Sequence, residues 1–242
     1  MIEKTRGILL HQIKYSENSI ITSIYTEDFG RQSYITNSVH SKKAGVKASV
    51  LQPLFLLDLE VYHRPGRELN RLKSAKIDFP FVSIPYDIRK SSLVIFLAEI
   101  LNKCLCEEEP NHDLFDFIFQ ALRFLDLTEK GVANFHLWFL FKLTAYLGIF
   151  PSRENMGPSR YFDLEKAEFV NSEPAHPNFM DKKTTVNFAS LFEISFSNLH
   201  EFALTAYERQ TLLQKLIEFY RIHFDIPGEL KSLRVLKEVF NK

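Results

Sequence analysis

The sequence predicts an α+β chain: a small five-stranded barrel at the N-terminus, then an all-helical domain with a short irregular or β insertion. Three observations predict it. Apolar residues alternate with period two as far as Ile77 and recur at i, i+3, i+4 beyond it. The charge changes sign at the same place. Twelve basic and seven acidic residues lie between Met1 and Ile77, while eighteen and twenty-three follow Ile77, although the whole chain has 30 of each. Finally, Pro80 and Pro85 punctuate a linker at the switch. The expected domains are 1–80 and 81–242, with residues 151–185 as the insertion.

In the first part, Gly7–Ile13 and Ser19–Tyr25 alternate as strands, the second rich in β-branched residues. Asp28-Phe29-Gly30-Arg31 is a turn, since glycine reaches positive φ without strain. Gln32–Val39 is a third strand, and His40–Ser49 an exposed basic loop. Val50–His63 reads as a long strand region whose Pro53 marks an edge or bulge at its start. After a Pro65-Gly66 turn, Leu69–Ile77 closes the set. Five short strands in under eighty residues, one long and bent, fit the OB barrel.

Beyond Ile77, Ser91–Glu107 carries a helical stripe from Leu93 to Leu105, ended by Pro110. Asn111 or Asp113 can cap a second helix through Leu125. Val132–Leu147 is apolar nearly all round and should be the buried central helix, stopped by Gly148 and Pro151. Pro151–Met180 is irregular, with Tyr161–Asp163 and Ala167–Asn171 as short strands. A helix starts at Thr205-Ala206-Tyr207-Glu208, which has capping-box spacing, and Pro227-Gly228 separates it from a last amphipathic segment, Leu230 to Phe240.

Composition narrows the function. At 45% hydrophobic and 14% aromatic, the 242 residues describe a folded protein. Two cysteines build no disulfide framework, the N-terminus lacks a signal-peptide apolar region, and no apolar run approaches the ~20 residues of a membrane span. A cytoplasmic protein without membrane contact is expected. Phosphate-cradling glycine loops, a nucleophile elbow and paired histidines on a helix face are all missing. Cys104 and Cys106 fall about 200° apart on a helix, so they point away from one another. No catalysis, cofactor or metal is expected.

Basic residues carry the functional signal. Lys42, Lys43 and Lys47 flank Ala44-Gly45, where a flexible backbone lets ammonium groups follow a phosphate chain. Arg64, Arg67, Arg71 and Lys73 surround the next turn, and Arg31 adds to the same charge. A basic groove with stacking rings binds single strands, and Tyr15, Tyr25, Tyr34 and Tyr62 would offer ring faces if they point outward. Packing in the core or rim is the other reading of each tyrosine, and solubility that of each lysine.

These residues resemble the RecO family of bacterial recombinational repair proteins. Gly7-Ile8-Leu9-Leu10 with Tyr15-Ser16-Glu17 and Thr26–Gly30 is similar to the family's opening, and His40-Ser41-Lys42-Lys43 with Leu51-Gln52-Pro53-Leu54 to its basic loop and following strand. Glu107–Asn111 with Leu114-Phe115-Asp116, Phe139–Gly148 with Pro151, and Leu230-Lys231-Ser232 resemble its helical landmarks, in the right order.

The resemblance implies an OB domain on a helical domain, without turnover. It implies binding of single- and double-stranded DNA, annealing of complementary strands coated by single-stranded DNA-binding protein (SSB), and assistance to RecA loading with RecR. RecF and RecA would be indirect partners, and the protein would be nucleoid-associated. Lys42, Lys43 and Lys47 are the DNA-contacting residues that a matching motif carries over. An SSB-tail pocket is implied near the central helix, with Arg123 and Lys142 as its positive charge, although Trp138 stands where a basic residue is expected. Many members carry four zinc-binding cysteines after the central helix; between Gly148 and Asn187 this chain has none. A hydrogen-bonded or aromatic cluster around Tyr161, Phe162 and Phe169 is expected in their place. The rival from another class is an RNA-binding or ribosome-associated OB protein.

Overall fold

The computed structural model describes residues 2–37, 45–157, 160–224, 226 and 228–240. The chain divides into two compact units, Met1–Leu127 and Thr128–Lys242.

The first unit is built on a closed barrel. Its strands β1 (Glu3–Lys14), β2 (Ser19–Thr26), β3 (Gly30–Asn37), β4 (Leu56–Tyr62) and β5 (Asn70–Ile77) join in the order β1-β2-β3-β5-β4. Every described pairing is antiparallel except β3 with β5, which run parallel where Tyr34 meets Asn70 and Ile35 meets Arg71. This is the OB-like barrel that the alternation predicts. Alternation sends Leu9, Ile24, Tyr34, Leu59, Val61 and Leu72 into one core, all of them at most 3% exposed. Burying each aliphatic side chain stabilises the unit by about 1.5–3 kcal/mol before ordering entropy is charged against it.

The expected strand over Val50–His63 is shorter than its apolar content implies. Ala48–Val50 forms a 3₁₀ turn, and β4 begins only at Leu56. Between them Pro53 can donate no ladder hydrogen bond, and Leu54 adopts φ 55 while its N–H bonds the Leu9 carbonyl at 2.7 Å. A left-handed leucine cannot continue a strand. Of the expected basic loop, residues 45–49 are described, whereas Lys42, Lys43 and Val39 lie outside the described residues.

Two helices complete this unit, α1 (Ile88–Cys104) and α2 (His112–Leu127). Asp87 caps the first through the Arg89 N–H, and Asn111 caps the second through the Leu114 N–H at 3.0 Å. The linker between barrel and α1 is fastened rather than free. The Asp126 carboxylate accepts the N–H groups of Val82, Ser83 and Ile84, each at 2.9 Å. Burial pushes its pKa up, but those donors outweigh the effect and hold it below the usual carboxylate range. The buried Lys90 ammonium donates to Ser83 Oγ and to the Asp126 carbonyl. The backbone thus becomes helical near the linker, while compact packing divides the chain only after α2. Cys104 is buried, its thiol pushed up to about 12 by burial, and Cys106 is exposed.

The second unit centres on α3 (Phe135–Tyr146), entered through a 3₁₀ turn at Val132–Asn134 and buried at every position from Phe135 to Phe141. Gly148 follows at φ 75, the left-handed residue that ends a helix. Strands β6 (Tyr161–Asp163), β7 (Glu168–Val170) and β8 (Phe179–Met180) form a small sheet in the order β7-β6-β8. Phe162 lies 5.1 Å from Phe169 and 4.5 Å from Phe188, and Tyr161 packs its ring on Phe179. An aromatic cluster therefore occupies this stretch.

Helix α4 (Lys182–Ser190), capped by Asp181 through the Thr184 N–H, is a helix that the hydrophobic periodicity does not predict. Helix α5 (Ala206–Phe224) begins with the expected capping box: the Glu208 N–H donates to Thr205 Oγ1, and the Thr205 N–H donates to the Glu208 carboxylate. Helix α6 (Lys231–Phe240) is last. Pro227, expected to break the chain before it, lies outside the described residues.

Among the described residues, no helix is long and apolar enough to cross a membrane.

Candidate nucleic-acid interface

The basic turn between β4 and β5 is shaped by one buried amide. Asn70, 2% exposed, accepts the Arg64 N–H at 3.1 Å and donates to the Arg67 carbonyl at 3.2 Å and to Gln32 Oε1 at 3.4 Å. The Arg67 N–H closes the turn on the Arg64 carbonyl, and Gly66 takes φ 72 at its tip. Because Asn70 points inward, its neighbour Arg71 points outward, next to Ile35 on β3 and Tyr62 on β4. The result is an open groove of about 300 Å³ lined by Ile35, Leu69 and Asn70 together with Tyr62, Arg64, Arg67 and Arg71. The Arg71 guanidinium stands 6.0 Å from the centre of the Tyr62 ring.

Arg64, Arg67 and Arg71 are all exposed, and among the described residues none of them pairs with a carboxylate. Glu68, the one acid of this turn, lies outside the groove lining. Three exposed guanidiniums in the same groove as an aromatic ring, unpaired among the described residues, offer positive charge and planar hydrogen-bonding forks.

The other expected residues are placed differently. Lys73 occupies the extra position where the β4–β5 register shifts, and it pairs with Glu60 at 2.9 Å. That contact raises the lysine's pKa and lowers the glutamate's, so the ammonium already has a carboxylate partner. Lys47 is exposed and starts the 3₁₀ turn. Gly45, two residues earlier, holds this segment on β5 by accepting the Ala75 N–H, and a Cβ there would meet the Lys73 carbonyl.

Arg31 is not brought into the groove. Its guanidinium donates to Ser23 Oγ on β2, to Asn102 Oδ1, and to the carbonyls of Asn102 and Leu105 at 2.8 and 2.6 Å. It caps the end of α1 instead of facing a ligand. Gly30 beside it allows the close approach, since a Cβ there would strike the Glu109 carbonyl.

The four tyrosines divide evenly. Tyr15 and Tyr62 are exposed, at 65% and 39%. Tyr25 and Tyr34 are core residues whose hydroxyl pKa values burial raises, that of Tyr25 to about 12.

Of the two residues expected near a peptide pocket, Arg123 lies on α2 in the first unit. It stacks over Phe79 at 5.0 Å and donates to Gln120. Lys142 lies on α3 in the second unit and donates to the Phe192 carbonyl at 3.3 Å; burial, helped by nearby Arg153, lowers its pKa. Sequence reasoning missed Arg153. It donates to the same carbonyl, stacks 4.9 Å over the Phe192 ring and pairs with Glu193 at 3.2 Å. Phe150, 43% exposed, packs edge-on to Phe192. Nothing periodic marks Arg153, because it lies in an irregular stretch and gains its partners from residues about forty positions away. Trp138, where a cation was expected, is buried and donates its indole N–H to the Ile194 carbonyl.

Two family models match the chain, described as "Recombination protein O N terminal" over residues 1–81 and "Recombination protein O C terminal" over residues 85–234. Among similar proteins, one named DNA repair protein RecO from Bacteroides fragilis is 38% identical over 242 residues, covering 100% of both chains. Another of that name from Phocaeicola vulgatus is 37% identical over 241 residues, again with 100% of each chain covered. A third, from Flavobacterium psychrophilum, is 39% identical over 240 residues, covering 98% of this chain and 99% of its own.

Proposed function

We propose that this chain, which belongs to the RecO family of DNA repair proteins, works without turnover as a strand-handling mediator of recombinational repair. The barrel binds single- and double-stranded DNA, and the protein anneals complementary SSB-coated strands. With RecR it assists RecA loading, RecF and RecA being indirect partners, and it resides at the nucleoid. The observation that carries the reading is the groove of Arg64, Arg67 and Arg71 around Tyr62, three guanidiniums that no carboxylate answers among the described residues. Lys47 and, from the sequence, Lys42 and Lys43 extend that charge. Lys73 adds less because Glu60 holds it.

A second surface supports contact with an acidic peptide such as the SSB tail. Lys142 and Arg153 converge on the Phe192 carbonyl beside the exposed Phe150 ring, a pairing of cations and aromatic surface that would take a carboxylate-bearing, aromatic-ended segment.

The test is salt dependence coupled to annealing. Replacing Arg64, Arg67 and Arg71 together with alanine should reduce the slope of log affinity against log salt by about 2 on single strands, at about 0.7 per phosphate contact. Annealing of SSB-coated strands should slow in parallel. An unchanged slope removes the groove from the DNA-binding surface. Competition among equal lengths of single-stranded DNA, duplex DNA and RNA tests the nucleic-acid class.

A further inference from the structure

Alternation along β3 turns Gln32 inward, in the same buried row as Tyr34 and Thr36. An amide in that row is costly to bury unless both of its ends are hydrogen-bonded. Gln32 bonds both ends to residues of turns. Its Nε2 donates to the Phe29 carbonyl in the β2–β3 turn at 2.8 Å, and its Oε1 accepts from Asn70 Nδ2 at 3.4 Å. Asn70 in turn holds the Arg64 N–H and the Arg67 carbonyl. The contacts then close on themselves. His63, the residue before Arg64, lays its ring on Phe29, with centroids 4.0 Å apart and planes within 14°. The buried His63 Nδ1 has no hydrogen-bond partner among the described residues, so the face of the ring makes this attachment. Phe29 is also fixed through its N–H, which donates to Thr26 Oγ1 at 3.1 Å. The arginine turn is thus tied to the β2–β3 turn at two points, by an amide relay and by a ring stack.

We infer that Gln32 and His63 are positioning residues for the arginine groove: through Asn70 and the Arg64 backbone they hold Arg64 and Arg67 where both meet one phosphate chain. The inference rests on the DNA-binding reading above and adds a control from outside the groove, since neither residue is among those that line it. An exposed turn without such ties would have to be ordered by its ligand, and that ordering subtracts from affinity. A turn held by a satisfied amide relay and a flat ring stack is ordered before the ligand arrives. The other role for the same circuit is to close one end of the barrel, which would act on stability alone. Salt dependence separates the two, because a displaced arginine keeps its charge and still loses its phosphate.

The experiment measures the salt dependence of oligo(dT) binding by the full chain, beside urea unfolding. Gln32→Met removes both amide bonds and no charge. It should lower the slope of log affinity against log salt by about 0.7 to 1.4, one or two phosphate contacts, as though arginines had been deleted. In a background of Arg64→Ala with Arg67→Ala it should change the slope no further. At the ring stack, His63→Ala should give a lower slope than His63→Phe, two variants of equal charge of which only the second keeps a flat ring on Phe29. A lower urea midpoint with the parent slope in both Gln32→Met and His63→Ala overturns the inference and leaves the circuit as a closure of the barrel. So does a loss of slope that persists without Arg64 and Arg67, or one that is the same for His63→Ala and His63→Phe. If Gln32→Met fails to fold, the two His63 variants decide alone. A parent protein whose binding ignores salt defeats the DNA-binding reading itself, a result distinct from these.

Discussion

Two regions of the same barrel use arginine in opposite ways. Where the barrel meets α1 and α2, Arg6 and Arg31 are consumed. Arg6 makes bonds of 2.8 and 2.6 Å to the Glu27 carboxylate, reaches Asp116 at 3.4 Å, and covers the Phe115 and Phe119 rings at 5.2 and 4.8 Å. Arg31 is spent on the Asn102 and Leu105 carbonyls at the end of α1. At the β4–β5 turn, Arg64, Arg67 and Arg71 are exposed, without an acidic partner among the described residues, and gathered round one ring. The N-terminal excess of positive charge sums both kinds. Within the barrel the second kind is the better placed to attract a polyanion, because Arg6 and Arg31 spend most of their donors and field inside the protein.

The largest effect should come from removing a consumed arginine. Arg31→Ala leaves the Asn102 and Leu105 carbonyls and Asn102 Oδ1 without their donor, and losing hydrogen bonds to a charged group in this half-buried setting should cost about 2–3 kcal/mol of stability. Urea unfolding would show it as a lower midpoint at unchanged slope, while the salt dependence of DNA binding stays that of the parent. If stability holds and the salt slope falls, the two regions have been assigned the wrong way round.

Glu27 gives a smaller, pH-dependent effect. Its hydrogen bond and charge contact with Arg6 lower its pKa, overcoming the opposite push of burial. A carboxylate held lower in the folded state contributes stability that is complete above the unfolded value of about 4.3 and is lost as pH falls through the folded value. Glu27→Gln should therefore cost about 1 kcal/mol near neutral pH, a figure already discounted for partial exposure, and the gap to the parent should close in acid. Stability curves at several pH values check the sign. A gap that widens in acid contradicts it.

The sequence made legible whatever depends on near neighbours. Period-two runs yield all five barrel strands, and Thr205 with Glu208 marks the start of α5, because those signals lie within a few residues. Long-range contacts are silent. Arg31 reads as one more surface cation because Asn102, which absorbs it, is 71 residues away. Tyr34 and Tyr62 look alike in the sequence, and strand register alone puts one in the core and the other in the groove. The nine residues of α4 are too few to show a stripe, so only the Asp181 cap could have announced it. In the groove, the basic residues of the turn were readable, whereas the contribution of Ile35 depends on its pairing with Arg71 across the barrel.

Lys73 lies between the two kinds of cation, which makes it the finest test of the comparison. It sits on the same strand as Arg71, yet Glu60 holds it at 2.9 Å and Ser74 Oγ donates to the same carboxylate at 3.2 Å. If an arginine or lysine serves DNA only when nothing within the protein answers it, Lys73→Ala should leave the salt slope nearly unchanged. Glu60→Gln, by contrast, should release the ammonium and steepen the slope by up to about 0.7 on single strands, one further phosphate contact. Stability should hardly move, because the pair is solvent-exposed and such pairs contribute little. A slope that drops for Lys73→Ala and ignores Glu60→Gln would mean that the lysine already reaches phosphate despite its partner, and pairing within the protein would no longer separate the cations that bind from those that build.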